Sequence, residues 1–156
     1  MTDLALVWSN DTASADLAML GADLATDDGL RTAILISLFT DARARDDDPL
    51  PAAPGGEVDR RGWWGDALPA VAGDVLGSRL WLLAREKRLA SVAARAHDYA
   101  TEALAWLIDD GVARSVDIEV DILGQQTLAF RVELVRPTGP GRLRFDYTWE
   151  ATAHAV

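Results

Sequence analysis

At 156 residues and 49% hydrophobic, the chain is long and apolar enough to bury a core of its own, and residues 1–156 are expected to form a single domain. Its formal charge of −10 provides no basic excess to displace phosphate counterions, so nucleic acid is not expected as a partner. The lack of cysteine excludes disulfides and thiolate metal sites, and His97 and His154 are too few for a histidine-rich centre, so no metal and no cofactor are expected.

Met1-Thr2-Asp3-Leu4 carries neither the basic region nor the long apolar stretch of a signal peptide, and no window approaches the roughly 18 apolar residues of a membrane span. Synthesis in the cytoplasm and no membrane partner follow as expectations. Six tryptophans stand beside only three phenylalanines; four or five of the six are expected in the core.

Taken in chain order, Leu4-Ala5-Leu6-Val7-Trp8 reads as a short strand ending at the turn signal Ser9-Asn10-Asp11. Two near copies of one tripeptide, Asp16-Leu17-Ala18 and Asp23-Leu24-Ala25, flank Gly21 and predict a small hairpin rather than a true repeat. Thr26 is placed to cap a helix, with Asp27 and Asp28 in the first turn, where carboxylates complement the helix dipole. Segment 29–40, with Ile34, Leu35, Leu38 and Phe39, is predicted as a short, largely buried helix.

Residues 41–62 contain Asp46-Asp47-Asp48, Pro49, Pro51, Pro54 and Gly55-Gly56, all breakers of regular structure. Consecutive aspartates point in different directions, which favours a solvated loop over a cation site. A loop this long is expected to be flexible or ordered by a partner. Ser78 is placed to cap a second helix through 79–83. A third helix begins near Arg88-Leu89, or the second continues, with an apolar stripe at Leu89, Val92, Ala96, Tyr99, Ala103 and Leu107. Asp110-Gly111 ends it, glycine taking the left-handed C′ position.

The last third alternates apolar and polar residues with period two. Val116, Ile118, Val120 and Ile122 keep even parity, as do Leu128, Phe130, Val132 and Leu134; after Pro137-Thr138-Gly139-Pro140 parity turns odd at Leu143, Phe145, Tyr147 and Trp149. Each run predicts a half-buried strand, and together they predict an antiparallel meander with one dry face. Placing Arg136 opposite Gly141 sets Leu134 against Leu143, Val132 against Phe145, Phe130 against Tyr147 and Leu128 against Trp149. The same register pairs Glu133 with Arg144 and Arg131 with Asp146, each worth roughly 0.2–1 kcal/mol. A slip of one residue would turn the apolar set to water. A three-residue loop at Gly124-Gln125-Gln126 puts Val120 opposite Phe130 and Glu119 opposite Arg131. The fold class is therefore α+β, with short N-terminal strands and a C-terminal three-stranded meander packed against two or three helices.

No G-x-S-x-G, Walker loop or dinucleotide fingerprint occurs, and Gly139-Pro140-Gly141 reads as a turn. Choosing a carboxylate pair from 25 acidic residues would be arbitrary, so no catalytic residue is assigned. His97 follows the apolar position Ala96 and reads as a surface or boundary residue; His154 lies in a C-terminal tail. The unusual string is Asp59-Arg60-Arg61-Gly62-Trp63-Trp64-Gly65-Asp66, followed by Gly77-Ser78-Arg79-Leu80-Trp81 and Arg85-Glu86-Lys87. Either the tryptophans plug the end of the sheet or, beside their arginines, they form a protein-docking surface of hot-spot composition. One of Trp63 and Trp64 is expected to be buried and the other presented.

Through these strings the chain resembles the small baseplate proteins of Mu-like contractile-tailed phages and prophages. The resemblance runs through 23–30, Gly62-Trp63-Trp64-Gly65-Asp66, Gly77-Ser78-Arg79-Leu80-Trp81, 103–107 and Arg144-Phe145-Asp146-Tyr147. It implies a non-enzymatic wedge component that connects the baseplate to the sheath and templates sheath assembly, present in several copies of a six-fold ring. The implied partners are other wedge proteins and the sheath and tube proteins, and the implied location is the virion's tail baseplate, with the host cytoplasm during assembly. The Glu-Pro-Arg motif recurrent in that wider group is absent. Two alternatives remain from other classes: a peptidoglycan-degrading tail enzyme and an acidic chaperone that never enters the particle.

Candidate interface residues are Trp63, Trp64, Arg79 and Arg85, together with Asp117, Glu119 and Asp121 of the first meander strand. Either edge of the meander could accept a neighbour's strand. The N-terminal strand is expected to cover one edge, and the acidic edge is expected to stay open, because burying its carboxylates would be costly. Proline at Glu119 is expected to spare the fold.

Overall fold

The computed structural model describes residues 3–12, 14–27, 29–51, 59–69, 71–84, 89–123, 127–139 and 141–150. Asp28, the loop Gly124-Gln125-Gln126, Arg85-Glu86-Lys87, Arg88 and His154 lie outside the described residues. No helix among those described is long and apolar enough to cross a membrane.

The described residues between 3 and 27 make six short strands: β1 (Asp3–Leu4), β2 (Leu6–Ser9), β3 (Ser14–Leu17), β4 (Met19–Leu20), β5 (Asp23–Leu24) and β6 (Thr26–Asp27). They pair antiparallel as β1–β6, β2–β3 and β4–β5. The predicted hairpin about Gly21 is the β4–β5 arm, with Met19 opposite Leu24 and Leu20 opposite Asp23. The three arms meet at three alanines. Ala5 N–H donates to the Ala25 carbonyl at 2.9 Å, Ala25 N–H to Ala18 at 2.8 Å, and Ala18 N–H to Ala5 at 2.8 Å. This closed ring satisfies backbone groups that a break between strands would otherwise orphan. Each alanine ends a copy of one tripeptide, and Asp3-Leu4-Ala5 is a third copy beside the two seen in the sequence. The copies are thus equivalent corners of a three-way junction.

Helix α1 (Leu30–Phe39) begins at Gly29, whose φ of 84° is left-handed, and no side chain caps it. Thr26 is therefore not a helix cap. Its backbone is engaged with Leu4 in the β1–β6 arm, and that pairing displaces the start of the helix downstream. Ile34, Leu35 and Leu38 are buried as the pattern predicts. Thr32 holds the break between β1 and β2: its hydroxyl donates to the Leu4 carbonyl at 3.2 Å and accepts Leu6 N–H at 3.1 Å.

Segment 79–83 is a buried single turn of 3-10 helix, Leu80–Leu83, rather than an α-helix. Ser78 does not cap it as predicted; its hydroxyl donates to the Leu38 carbonyl at the end of α1 and only weakly accepts Leu80 N–H, at 3.3 Å. Ser78 N–H also donates to Thr40, and Ala42 N–H to Ser78, so the two segments are laced side by side. Gly77 makes this approach possible: with φ at 97°, a Cβ there would lie 2.4 Å from the Thr40 carbonyl oxygen. Helix α2 (Leu89–Ala103) and the short α3 (Trp106–Asp109) follow, ending at Gly111 with φ 67°. Val92, Ala96, Tyr99 and Leu107 of the predicted stripe are buried, and Ala100 and Leu104, which the stripe omitted, are buried as well.

The C-terminal sheet has the order β7 (Ser115–Ile122), β8 (Thr127–Val135), β9 (Arg142–Glu150), antiparallel throughout. Its register is the one derived from parity: Val120 faces Phe130, Glu119 faces Arg131, and Leu134, Val132, Phe130 and Leu128 face Leu143, Phe145, Tyr147 and Trp149. The dry face is covered by α1, the 3-10 turn and α2 in one cluster of buried residues. Trp8 stacks on Phe39 at 4.1 Å, and Phe39 meets Tyr147 and Phe130 edge-on, which docks the β2–β3 arm against the sheet. Trp81 is buried, and Trp8, Trp106 and Trp149 pack partly buried against the core.

Ala18→Pro removes one donor of the alanine ring. Amide exchange is expected to quicken at Ala5 and Ala25, at a cost of about 1–3 kcal/mol locally, while the β8 amides keep their protection.

Candidate functional site

The Gly-Trp-Trp-Gly-Asp block is built by its glycines. Gly62 has φ 103°, and a Cβ there would lie 2.7 Å from Arg43 Cβ. At Gly65 a Cβ would fall 2.2 Å from Trp63 Cζ3, so the Trp63 ring lies across a backbone that only glycine leaves bare. A 3-10 turn, Trp64–Ala67, carries the chain onward. Neither tryptophan enters the core: Trp63 is 45% exposed and Trp64 84%. The expectation that one would be buried fails, because the ring that might have turned inward is seated on Gly65. The rings touch at 5.4 Å with a 49° tilt. Leu68, Val71 and Val75 are exposed in the segment that follows.

The arginines beside this block are engaged within the chain. Arg60 donates to the Arg45 carbonyl. Arg61 donates to Asp41 Oδ2 at 2.7 Å and lies 4.6 Å over the Trp81 ring. Arg79 is not a surface residue: it is 8% exposed, donating to Asp48 Oδ1 at 2.7 Å and to Glu102 Oε2 at 2.5 Å, with Tyr99 beneath its guanidinium at 4.5 Å. Arg45 completes the cluster, its side chain reaching Glu102 Oε1 at 2.8 Å and its N–H reaching Asp48 Oδ2 at 2.7 Å. Asp48 is thus not part of a solvated acidic run; it ties the 41–51 segment to Arg79 at the start of the 3-10 turn, and Glu102 extends the cluster to α2. Burial pushes the Asp48 carboxyl up, but the Arg45 N–H and the Arg79 guanidinium outweigh it and hold the group below its ordinary range. Burial likewise opposes the charge on Arg79, and Glu102 and Asp48 overcome it. Arg85 lies outside the described residues.

Asp117, Glu119 and Asp121 are exposed on the wet face of β7. Glu119 is bound by Arg131, which reaches Asp146 on its other side at 3.4 Å. The Arg144 hydrogen bonds, with Arg131 adding to them, hold the Asp146 carboxyl below its usual range. Asp117 faces Glu133, a like-charge pair.

The pairing parity identifies which backbone groups are free. Leu123 N–H donates to Thr127, and Arg136 N–H to Gly141, so the odd residues of β7 and β8 bond one another and the even residues of β8 bond β9. Val116, Ile118, Val120 and Ile122 therefore aim their N–H and C=O groups away from the sheet. Proline at Glu119 would break a bond inside the sheet, contrary to expectation. The β9 edge is different: Thr148 N–H donates to Asn10 Oδ1 at 3.0 Å, and Trp8 Nε1–H donates to the Thr148 carbonyl at 2.9 Å. The N-terminal arm covers β9 by side chains, and β7 pairs only with β8 among the described residues.

His97 is exposed, with Nδ1 3.6 Å from Asp98 Oδ1. The Arg79 cluster was the feature sequence reasoning missed. Its partners stand 31 and 23 residues away, and no local spacing connects them.

A family profile described as phage protein GP46 matches residues 30–141. The baseplate protein gp46 of Escherichia phage Mu is 45% identical over 139 residues, covering 89% of this chain and 90% of that protein. The Mu-like prophage FluMu protein gp46 of Haemophilus influenzae is 40% identical over 150 residues, covering 96% of this chain and 98% of that protein.

Asp48→Asn leaves the buried Arg79 with one carboxylate instead of two and should cost about 3 kcal/mol in urea or thermal unfolding. Because the folded-state pKa is depressed, the unfolded chain takes up the proton first. The contribution is complete above the ordinary carboxylate pKa and is lost as pH falls through the lower folded value. The variant should therefore show a flatter acid limb of stability than the parent chain.

Proposed function

The chain belongs to the phage GP46 family, and from that membership we propose that it is a structural, non-catalytic component of a contractile-tail baseplate. In this reading residues 1–156 act as one wedge domain, located in the virion's tail baseplate after assembly in the host cytoplasm. Its partners are other baseplate proteins and the first ring of sheath, around a six-fold axis. In the same reading the 41–62 loop is ordered by a partner, and Asp48 and Arg61 tie its described parts to the rest of the chain.

The observation that carries the reading is the open β7 edge. Four successive outward-facing backbone pairs are a template for strand addition, in which main-chain bonds supply affinity and alternate side chains supply specificity. Asp117 and Asp121 discourage two copies of this edge from pairing together and favour a basic partner strand. With β9 covered by Trp8 and Asn10, one edge is closed by the chain and the other is left for sheath or a neighbouring wedge. The exposed side chains of Trp63, Trp64, Leu68, Val71 and Val75 supply a second docking face, well separated in sequence from the sheet.

Val120→Pro removes one outward N–H and leaves every sheet bond in place, as edge prolines do. Its melting temperature should fall no more than that of Val120→Ala, which loses the same half-buried packing. In a complementation assay the alanine variant should yield contractile tails and the proline variant none. Normal tails containing the proline variant would overturn strand addition at this edge.

A further inference from the structure

We propose that the cleft beside Trp63 and Trp64 is a receptor for an arginine side chain presented by a neighbouring protein. The cleft encloses about 460 Å³ and is lined by the two tryptophans, Leu68, Val75 and two carboxylate residues, Asp66 and Asp74, with no basic residue among its lining. Asp66 is committed on one side only. Its Oδ1 accepts Leu76 N–H at 3.1 Å, while Oδ2 is buried without a partner among the described residues. A carboxylate oxygen withdrawn from water and given no donor is costly, and such an atom marks the place of a missing group.

The chain itself shows what that group is. Twice it sets an arginine on an aromatic face while binding it to a carboxylate: Arg61 over Trp81 with Asp41, and Arg79 over Tyr99 with Asp48. The Trp63–Trp64–Asp66 site has the aromatic face and the carboxylate, and among the described residues it has no arginine. A guanidinium is flat enough to lie on an indole and carries donors enough to reach a carboxylate at the same time, which an ammonium does less well. Trp64 is 84% exposed, so its ring is open to receive a guanidinium beside Asp66. A chain of formal charge −10 also meets its partners through their cations.

This inference rests on the docking reading above for its biological use, but the binding can be measured on the isolated chain. The full chain, labelled for NMR, is titrated with N-acetyl-argininamide and separately with the neutral analogue N-acetyl-citrullinamide. The expected result is a saturable shift of the Trp63 and Trp64 indole signals with arginine, with a dissociation constant on the order of 1–10 mM. Trp81 and Trp106 should not respond. Asp66→Asn keeps the oxygen that accepts Leu76 N–H and should weaken the response at least about tenfold; Trp64→Ala, altering an exposed side chain, should do the same without touching the fold. No saturable shift, an equal response to citrulline, or a response that survives in Trp64→Ala would overturn the proposal. Tails that assemble from a chain indifferent to arginine would sink only this inference, and arginine binding by a chain absent from tails would sink only the baseplate reading.

Discussion

Leu128, Val132 and Leu134 of the middle strand are 0% exposed and Phe130 is 1%, and a sheet of three strands dries four successive side chains only when one whole face is covered. That requirement arranges the rest of the molecule. Helices α1 and α2 and the Leu80–Leu83 turn supply the cover. The order in which they arrive leaves two seams, between α1 and the turn and between the 41–51 segment and α2. Ser78 laces the first, and the Arg79 cluster closes the second. The cluster is expensive to assemble, since burial opposes the charges of Asp48 and Arg79, and it holds because each carboxylate also accepts from Arg45.

Covering one face does nothing for the edges of the sheet, and the chain treats its two edges differently. The N-terminal arm reaches β9 through Asn10 and Trp8, and the Trp8–Phe39 stack binds that arm to the same helix that covers the dry face. The β7 edge receives no such cover among the described residues. The edge instead carries Asp117, Glu119 and Asp121 on its wet face, and like charges there discourage two copies of it from pairing. The exposed tryptophan pair follows the same economy. Gly65 leaves room for the Trp63 ring across the backbone, and Trp63 stays 45% exposed at the surface.

The meander was legible because its evidence is redundant: parity, opposite charges and loop length all demand one register, and a slip would wet every apolar side chain. The identity of α1 was legible for a related reason, through Ile34, Leu35 and Leu38. Its start was not, because Thr26 looks like a cap locally and only the distant Leu4 makes it a strand residue. The same holds for the N-terminal junction, whose alanine ring depends on three separated segments. Asp48 reads as one of three solvated aspartates until Arg79 is brought to it, and Arg79 reads as surface charge until the cluster buries it. Trp63 and Trp64 stand out in the sequence, but their exposure depends on the Trp63 ring lying over Gly65, a contact that composition does not reveal.

Strand addition at β7 is the central claim, and amide hydrogen exchange in free and assembled protein tests it most directly. In the isolated chain the even residues Val116, Ile118, Val120 and Ile122 should exchange quickly and the odd residues between them slowly. In purified tails the even amides should become protected to the level of their odd neighbours. Even amides that exchange as fast in the tail as in the free chain would contradict the account.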